Sequence, residues 1–128
     1  MNVPVFFTDG GCSGNPGPMG IGVVVMAAGK VITRIQERPE GSGTNNVAEY
    51  MAIIRALEYA VEHGFPEIIV KSDSQLCVGQ LSAGWKVREP RLQQLNANVR
   101  KLEEQVKVTY VHIPREENPA DALSNMGV

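Results

Sequence analysis

The apolar residues of this chain change their spacing once, and that change limits the folds open to it. In the first forty or so residues they alternate or run in short stretches broken by Gly and Pro: residues 3–9, then Gly20 to Met26, then roughly Val31 to Arg38. Within the second stretch Ile21, Val23 and Val25 alternate with Gly22 and Val24, the period of a strand. From Val47 the spacing is helical: Val47, Met51, Ile54, Leu57 and Val61 recur on one face, and Gly64 and Pro66 close the helix. Three strands joined by short turns must be neighbours, whereas strands separated by helices are joined by crossovers.

The remaining elements follow the second pattern. Ile68-Ile69-Val70 reads as a central strand buried on both faces. A short helix follows Asp73, and Pro90 opens another that carries Leu92, Leu95, Val99 and Leu102 on one face. Val106 to Ile113 is the last strand, and Asn118 to Asn125 a final short helix. The glycine-rich segment Gly10 to Pro18 is expected to interrupt regular structure, and Pro39 to Gly43 to be a loop. The order β-β-β-α-β-α-α-β-α predicts an α/β fold with a mixed five-stranded sheet, three antiparallel strands followed by parallel ones, and helices on both faces.

With 128 residues, 43% of them hydrophobic, the chain is expected to form one domain, residues 1–128, around one core. Cys12 and Cys77 are too few for a disulfide framework and lack zinc-type spacing, so a reduced, cytoplasmic protein is expected. No charged and apolar leader precedes the first strand, and no apolar run approaches the roughly 20 residues that span a bilayer. Membrane association is therefore not expected. The net charge of −2 argues mildly against a nucleic-acid partner, but Arg34, Arg38, Lys86, Arg88, Arg91, Arg100, Lys101, Lys107 and Arg115 suffice for a local basic face.

The acids carry the functional information. Asp9, Asp73 and Asp121 are the chain's only aspartates, each at an element boundary, and the other eleven acids are glutamates. Each has an ordinary structural explanation. Glu49 could complete a capping box with Asn46, Asp73 could be an N-cap, Asp121 a first-turn acid and Asp9 a turn former. Together they call for another. A parallel crossover puts the strand ending at Asp9 beside the strand ending at Ser72-Asp73, at the carboxyl edge where open α/β sheets bind ligands. The helix bearing Glu49 packs on that sheet and can reach the same edge. Clustered carboxylates raise one another's pKa values unless a cation is present, and two divalent ions would suit phosphodiester cleavage.

Five segments, in order and spanning nearly the whole chain, resemble ribonuclease HI. They are Thr8-Asp9-Gly10-Gly11-Cys12-Ser13-Gly14-Asn15-Pro16-Gly17-Pro18, Thr44-Asn45-Asn46-Val47-Ala48-Glu49, Ser72-Asp73-Ser74-Gln75, Gly84-Trp85-Lys86-Val87 and Asn118-Pro119-Ala120-Asp121-Ala122-Leu123-Ser124. The resemblance implies the RNase H-like fold and hydrolysis of the RNA strand of RNA–DNA hybrids, leaving 5′-phosphate and 3′-hydroxyl ends. It also implies two Mg2+ ions, or Mn2+, on Asp9, Glu49, Asp73 and Asp121. By similarity Asp9 bridges both ions, Asp121 serves the ion that activates water, and Glu49 and Asp73 the ion beside the leaving oxygen.

The resemblance further places Gly11, Cys12, Asn15, Asn45, Ser74 and Gln75 along the hybrid's minor groove, where 2′-hydroxyls are read, and Trp85 with Lys86 on the DNA backbone. Duplex RNA offers a similar wide, shallow groove, which leaves a side activity on it open. A monomer is expected. The chain departs from the family in two places. Trp85-Lys86-Val87-Arg88-Glu89-Pro90 leads directly into the next helix, so the basic insert of many relatives is absent and a smaller salt dependence follows. Residues 113–120 lack the histidine common in that loop; Arg115 is the candidate polar substitute, with a solvated surface charge as the alternative. Rival readings are a nucleic-acid-binding module without turnover, or another nuclease of the same fold such as a transposase or junction resolvase.

Overall fold

The computed structural model describes residues 2–125; residue 1 and residues 126–128 of the expected domain lie outside it. Six strands and four helices follow one another as β1 (Val5–Cys12), β2 (Gly17–Ala27), β3 (Lys30–Glu37), β4 (Ser42–Gly43), α1 (Asn45–Glu62), β5 (Glu67–Ser72), α2 (Gln75–Ser82), α3 (Pro90–Leu102), β6 (Lys107–His112) and α4 (Asp121–Asn125). A 3-10 turn, Arg115–Glu117, precedes α4. The long strands lie in the order β3-β2-β1-β5-β6, with β1–β2 and β2–β3 antiparallel and β1–β5 and β5–β6 parallel. The five expected strands are present. The sixth, β4, falls in the expected loop and pairs Gly43 and Ser42 with Gly17 and Pro18 of β2.

Register fixes which residues share a face. Phe6 pairs with Val25 and Val70, and Thr8 with Val23 and Ser72, so these residues point to one side. There α1 and α3 supply Ile53, Leu57 and Val99, and Phe6, Val23, Val25, Ile68 and Val70 are fully buried among them. Each such side chain contributes about 1.5–3 kcal/mol of burial. The central strand is not buried on both faces. Ile68, Val70 and Ser72 are covered, whereas Ile69 and Lys71 are half-buried and line an open hollow with Val5, Phe7 and Met26. Among the described residues α4 is the helix that packs against this second face, at one end, so the period-two burial of a half-covered sheet replaces the expected continuous run.

The glycine-rich segment differs from expectation for an instructive reason. β1 runs on through Gly10, Gly11 and Cys12, and β2 resumes at Gly17, with Gly10 opposite Ile21 and Gly11 opposite Gly20. Two of the glycines are there to let helices approach. A Cβ on Gly10 would lie 2.1 Å from the Ala48 carbonyl oxygen in α1. One on Gly22 would lie 2.6 Å from Leu123 Cβ and 2.7 Å from the Ala120 oxygen beside α4. Gly22 is the cross-strand partner of Asp9, and Gly10 is its neighbour. Asp9 is therefore flanked by two close helix-to-sheet contacts, one on each face.

Candidate active site

Asp9 sits inside β1, not in a turn, and is only 4% exposed. Glu49 is not a capping-box member. Thr44 caps α1 by accepting from Val47 N, while Glu49 Oε1 accepts from Gly10 N at 3.0 Å. Asp73 is not a cap either, since Ser74 caps α2 by accepting from Cys77 N. Asp121 is the first residue of α4, as its first-turn reading required.

Asp9, Glu49 and Asp73 each offer one carboxylate oxygen to a group whose members all lie within 4.8 Å of one another. Asp121 stands outside that group. It shares with Asp9, Glu49, Gly11, Cys12, Asn45, Arg115, Ser124 and Asn125 a hollow of about 310 Å³. Asp9 and Glu49 belong to both sets. A larger groove, about 730 Å³, lies between the end of α3 and β6, but no such cluster of carboxylates lines it.

Crowding and burial show in the protonation of the two shared acids. Burial pushes the Asp9 carboxyl up to about 7; the hydrogen bond from Ser124 opposes this, and the charges of Asp73 and Asp121 add to it. Glu49 is held well above the usual carboxylate range by burial and then by Asp9 and Asp73, with the Gly10 N–H pulling the other way. Anionic oxygen donors in surplus, with no cationic side chain among them, fit a hard divalent cation. Arg115, an exposed side chain that lines the hollow, places its Nε 4.0 Å from Asp121 Oδ1.

The expected substrate residues form two groups. At the ends of β1 and α1, Asn15 Oδ1 accepts from Asn45 N at 3.1 Å, and Asn45 Oδ1 accepts from Cys12 N at 3.2 Å. Cys12 Sγ donates within the same cluster. Both residues are exposed, and both amide oxygens are engaged. Gln75 is exposed at the start of α2, and Ser74 beside it is buried, its oxygen used as the cap. Farther along, Trp85 is 45% exposed, contrary to a core role. Its ring lies on Gly79, where a Cβ would come within 2.2 Å of it, and Lys86 is exposed beside it. Gln80 Nε2 donates to the Lys86 carbonyl and Gln80 Oε1 accepts from Tyr50 Oη, tying this loop to α1.

Two polar residues at the site have no role in the sequence reading. Asn118 is 5% exposed, donates to the Thr8 carbonyl at 2.9 Å and to Asp73 Oδ2 at 3.4 Å, and accepts from Ala120 N. Ser124, 1% exposed, donates to Asp9 Oδ2. Its spacing of three from Asp121 was the available clue, since such residues share a helix side.

A family model described as "Reverse transcriptase-like" matches residues 7–127. "Ribonuclease HI" of Halobacterium salinarum is 38% identical over 123 residues, covering 93% of this chain and 61% of that protein. The N-terminal RNase H domain of Rv2228c from Mycobacterium tuberculosis, solved as a fusion with maltose-binding protein, superposes with a TM-score of 0.90 at 40% identity over 98% of this chain and 92% of that one. LC11-RNase H1, solved in complex with RNA/DNA hybrid, superposes with a TM-score of 0.89 at 42% identity, covering 95% and 94%. The chain belongs to the ribonuclease HI family. Its mixed sheet with helices is that family's RNase H-like fold. The chain spans 34% of the length of the full mycobacterial protein it matches.

Proposed function

We propose that this ribonuclease HI relative is a metal-dependent endoribonuclease acting on RNA–DNA hybrids, with residues 1–128 as its single catalytic domain. It hydrolyses the RNA strand to 5′-phosphate and 3′-hydroxyl ends. The observation that carries the reading is the convergence of Asp9, Glu49 and Asp73 within 4.8 Å on a sheet edge. Its strongest support outside the site is the likeness to LC11-RNase H1, whose structure holds such a hybrid.

Asp9, Glu49, Asp73 and Asp121 would hold two divalent cations, Mg2+ or Mn2+. The membership of Asp9 and Glu49 in both carboxylate sets supports two neighbouring positions. When bound, the cations supply Lewis-acid stabilisation of the phosphate charge and activation of water. The chain's own residues orient the substrate. The Nδ2 groups of Asn15 and Asn45, with Gly11, Cys12, Ser74 and Gln75, would read 2′-hydroxyls and base edges in a wide, shallow groove. Trp85, fixed on Gly79, and Lys86 would engage the DNA strand. Arg115, beside Asp121, would steady phosphate or product at the hollow.

The test is cleavage of an end-labelled hybrid with Mg2+, Mn2+ or EDTA, alongside matched duplex DNA and duplex RNA. Metal-dependent cutting confined to the RNA strand of the hybrid is the expected result. Hybrid binding without cutting under either ion would replace this reading with that of a binding module.

A further inference from the structure

Asp9 and Glu49 are common to both acid sets; Asp9 is the more deeply buried of the two and the one bound by a side chain of α4. Gly22 stands opposite it on β2, and the missing side chain there lets the start of α4 lie directly on the strand. That contact brings Ser124 under Asp9. The serine lines the hollow, is almost wholly inaccessible and donates its hydroxyl to Asp9 Oδ2. A second acceptor, the Asp121 carbonyl oxygen, lies 3.0 Å from the same hydroxyl. One proton serves only one of them, and a hydrogen bond to a carboxylate is stronger than one to a carbonyl.

We infer that Ser124 is a positioning residue for the proposed metal site: it binds Asp9 Oδ2 and thereby presents Oδ1 to the ions, at a fixed offset from Asp121. This rests on the metal-site reading above. Carboxylate ligands are held by hydrogen bonds from surrounding groups, and losing one such partner typically costs ten- to a hundred-fold in metal affinity or activity. Packing alone does not call for a hydroxyl at this position, because an alanine would fit the same contact with Gly22.

Calorimetric titration of Mn2+ into the metal-free full chain, compared among wild type, Ser124→Ala and Ser124→Cys, tests the inference. The cysteine fills the space with a much weaker donor, and a thiol is a poor ligand for this hard cation. Melting temperatures measured without metal show that each variant is folded. Both variants are expected to bind Mn2+ about ten-fold more weakly and to lose kcat by a similar factor, with KM for the hybrid within about two-fold of wild type. A cysteine variant that binds Mn2+ like wild type assigns the position to packing and overturns the inference. Unchanged Mn2+ affinity in the alanine variant does the same. A wild-type chain that takes up no Mn2+ overturns the metal-site reading itself, a separate result visible before any variant is compared.

Discussion

A carboxyl that holds its proton more tightly in the folded chain than in the unfolded one stabilises the fold only while the proton stays bound. Asp9, pushed from 3.8 to about 7, is in this position. The stability it contributes is complete below about pH 4 and is lost as pH rises through about 7. At about 1.4 kcal/mol per unit, the loss is on the order of 4 kcal/mol. Urea denaturation of the metal-free protein at pH 5 and pH 8 checks this: stability is expected to be lower at pH 8, and saturating Mg2+ to recover it. Glu49→Gln keeps an oxygen for the Gly10 N–H while removing a charge. It is expected to fold, to be more stable without metal by ~1 kcal/mol or more, and to cleave at least about ten-fold more slowly. Sequence made these acids visible because the chain's three aspartates were expected at element boundaries and all four acids fall in the five matching segments, although Asp9 lies inside β1. Asn118 and Ser124 were hidden because short polar residues around a helix start ordinarily read as caps, and only tertiary packing aims them at Asp73 and Asp9.

At the scale of elements, the site is set by how closely helices approach the sheet. Gly10→Ala would drive a methyl into the Ala48 backbone, and Gly22→Ala into Leu123 and Ala120. Each is expected to destabilise by about 1–3 kcal/mol in urea melts, and Gly22→Ala also to weaken metal binding by shifting α4. Gly79→Ala meets a movable ring instead of backbone, so the expected result is a folded protein with several-fold weaker hybrid binding and a smaller change in kcat. Periodicity disclosed the helices and strands well, including α1 ending before Gly64 and α3 starting at Pro90. It misplaced the end of β1 because a glycine demanded by close packing, Gly10, looks in sequence like one demanded by a turn. β4 was missed because a two-residue strand carries no periodicity.

For the molecule as a whole, sheet order follows from three hairpin-linked strands and two crossovers, and it brings Asp9 of β1 beside Asp73, the residue that follows the neighbouring parallel strand β5. The net charge of −2 leaves little long-range attraction for nucleic acid. Several cations are also committed internally: Arg55 pairs with Glu37 and Glu62, Arg100 with Glu103, and Arg91 donates to the Ser42 carbonyl. With α3 following Trp85–Glu89 directly, the expected phosphate contacts reduce to Lys86, Arg88 and Arg115. The slope of log K for hybrid binding against log salt is then roughly −3, measurable by anisotropy at several salt concentrations.

Asp9→Asn tests the central claim most directly, with melting temperature without metal and hybrid cleavage with Mg2+ measured on the same preparation at pH 8. If the acids form a mutually repelling site completed by cations, the variant melts at the same or a higher temperature than wild type and no longer cleaves. If they are structural, it melts lower and still cleaves, and that outcome would contradict the assignment.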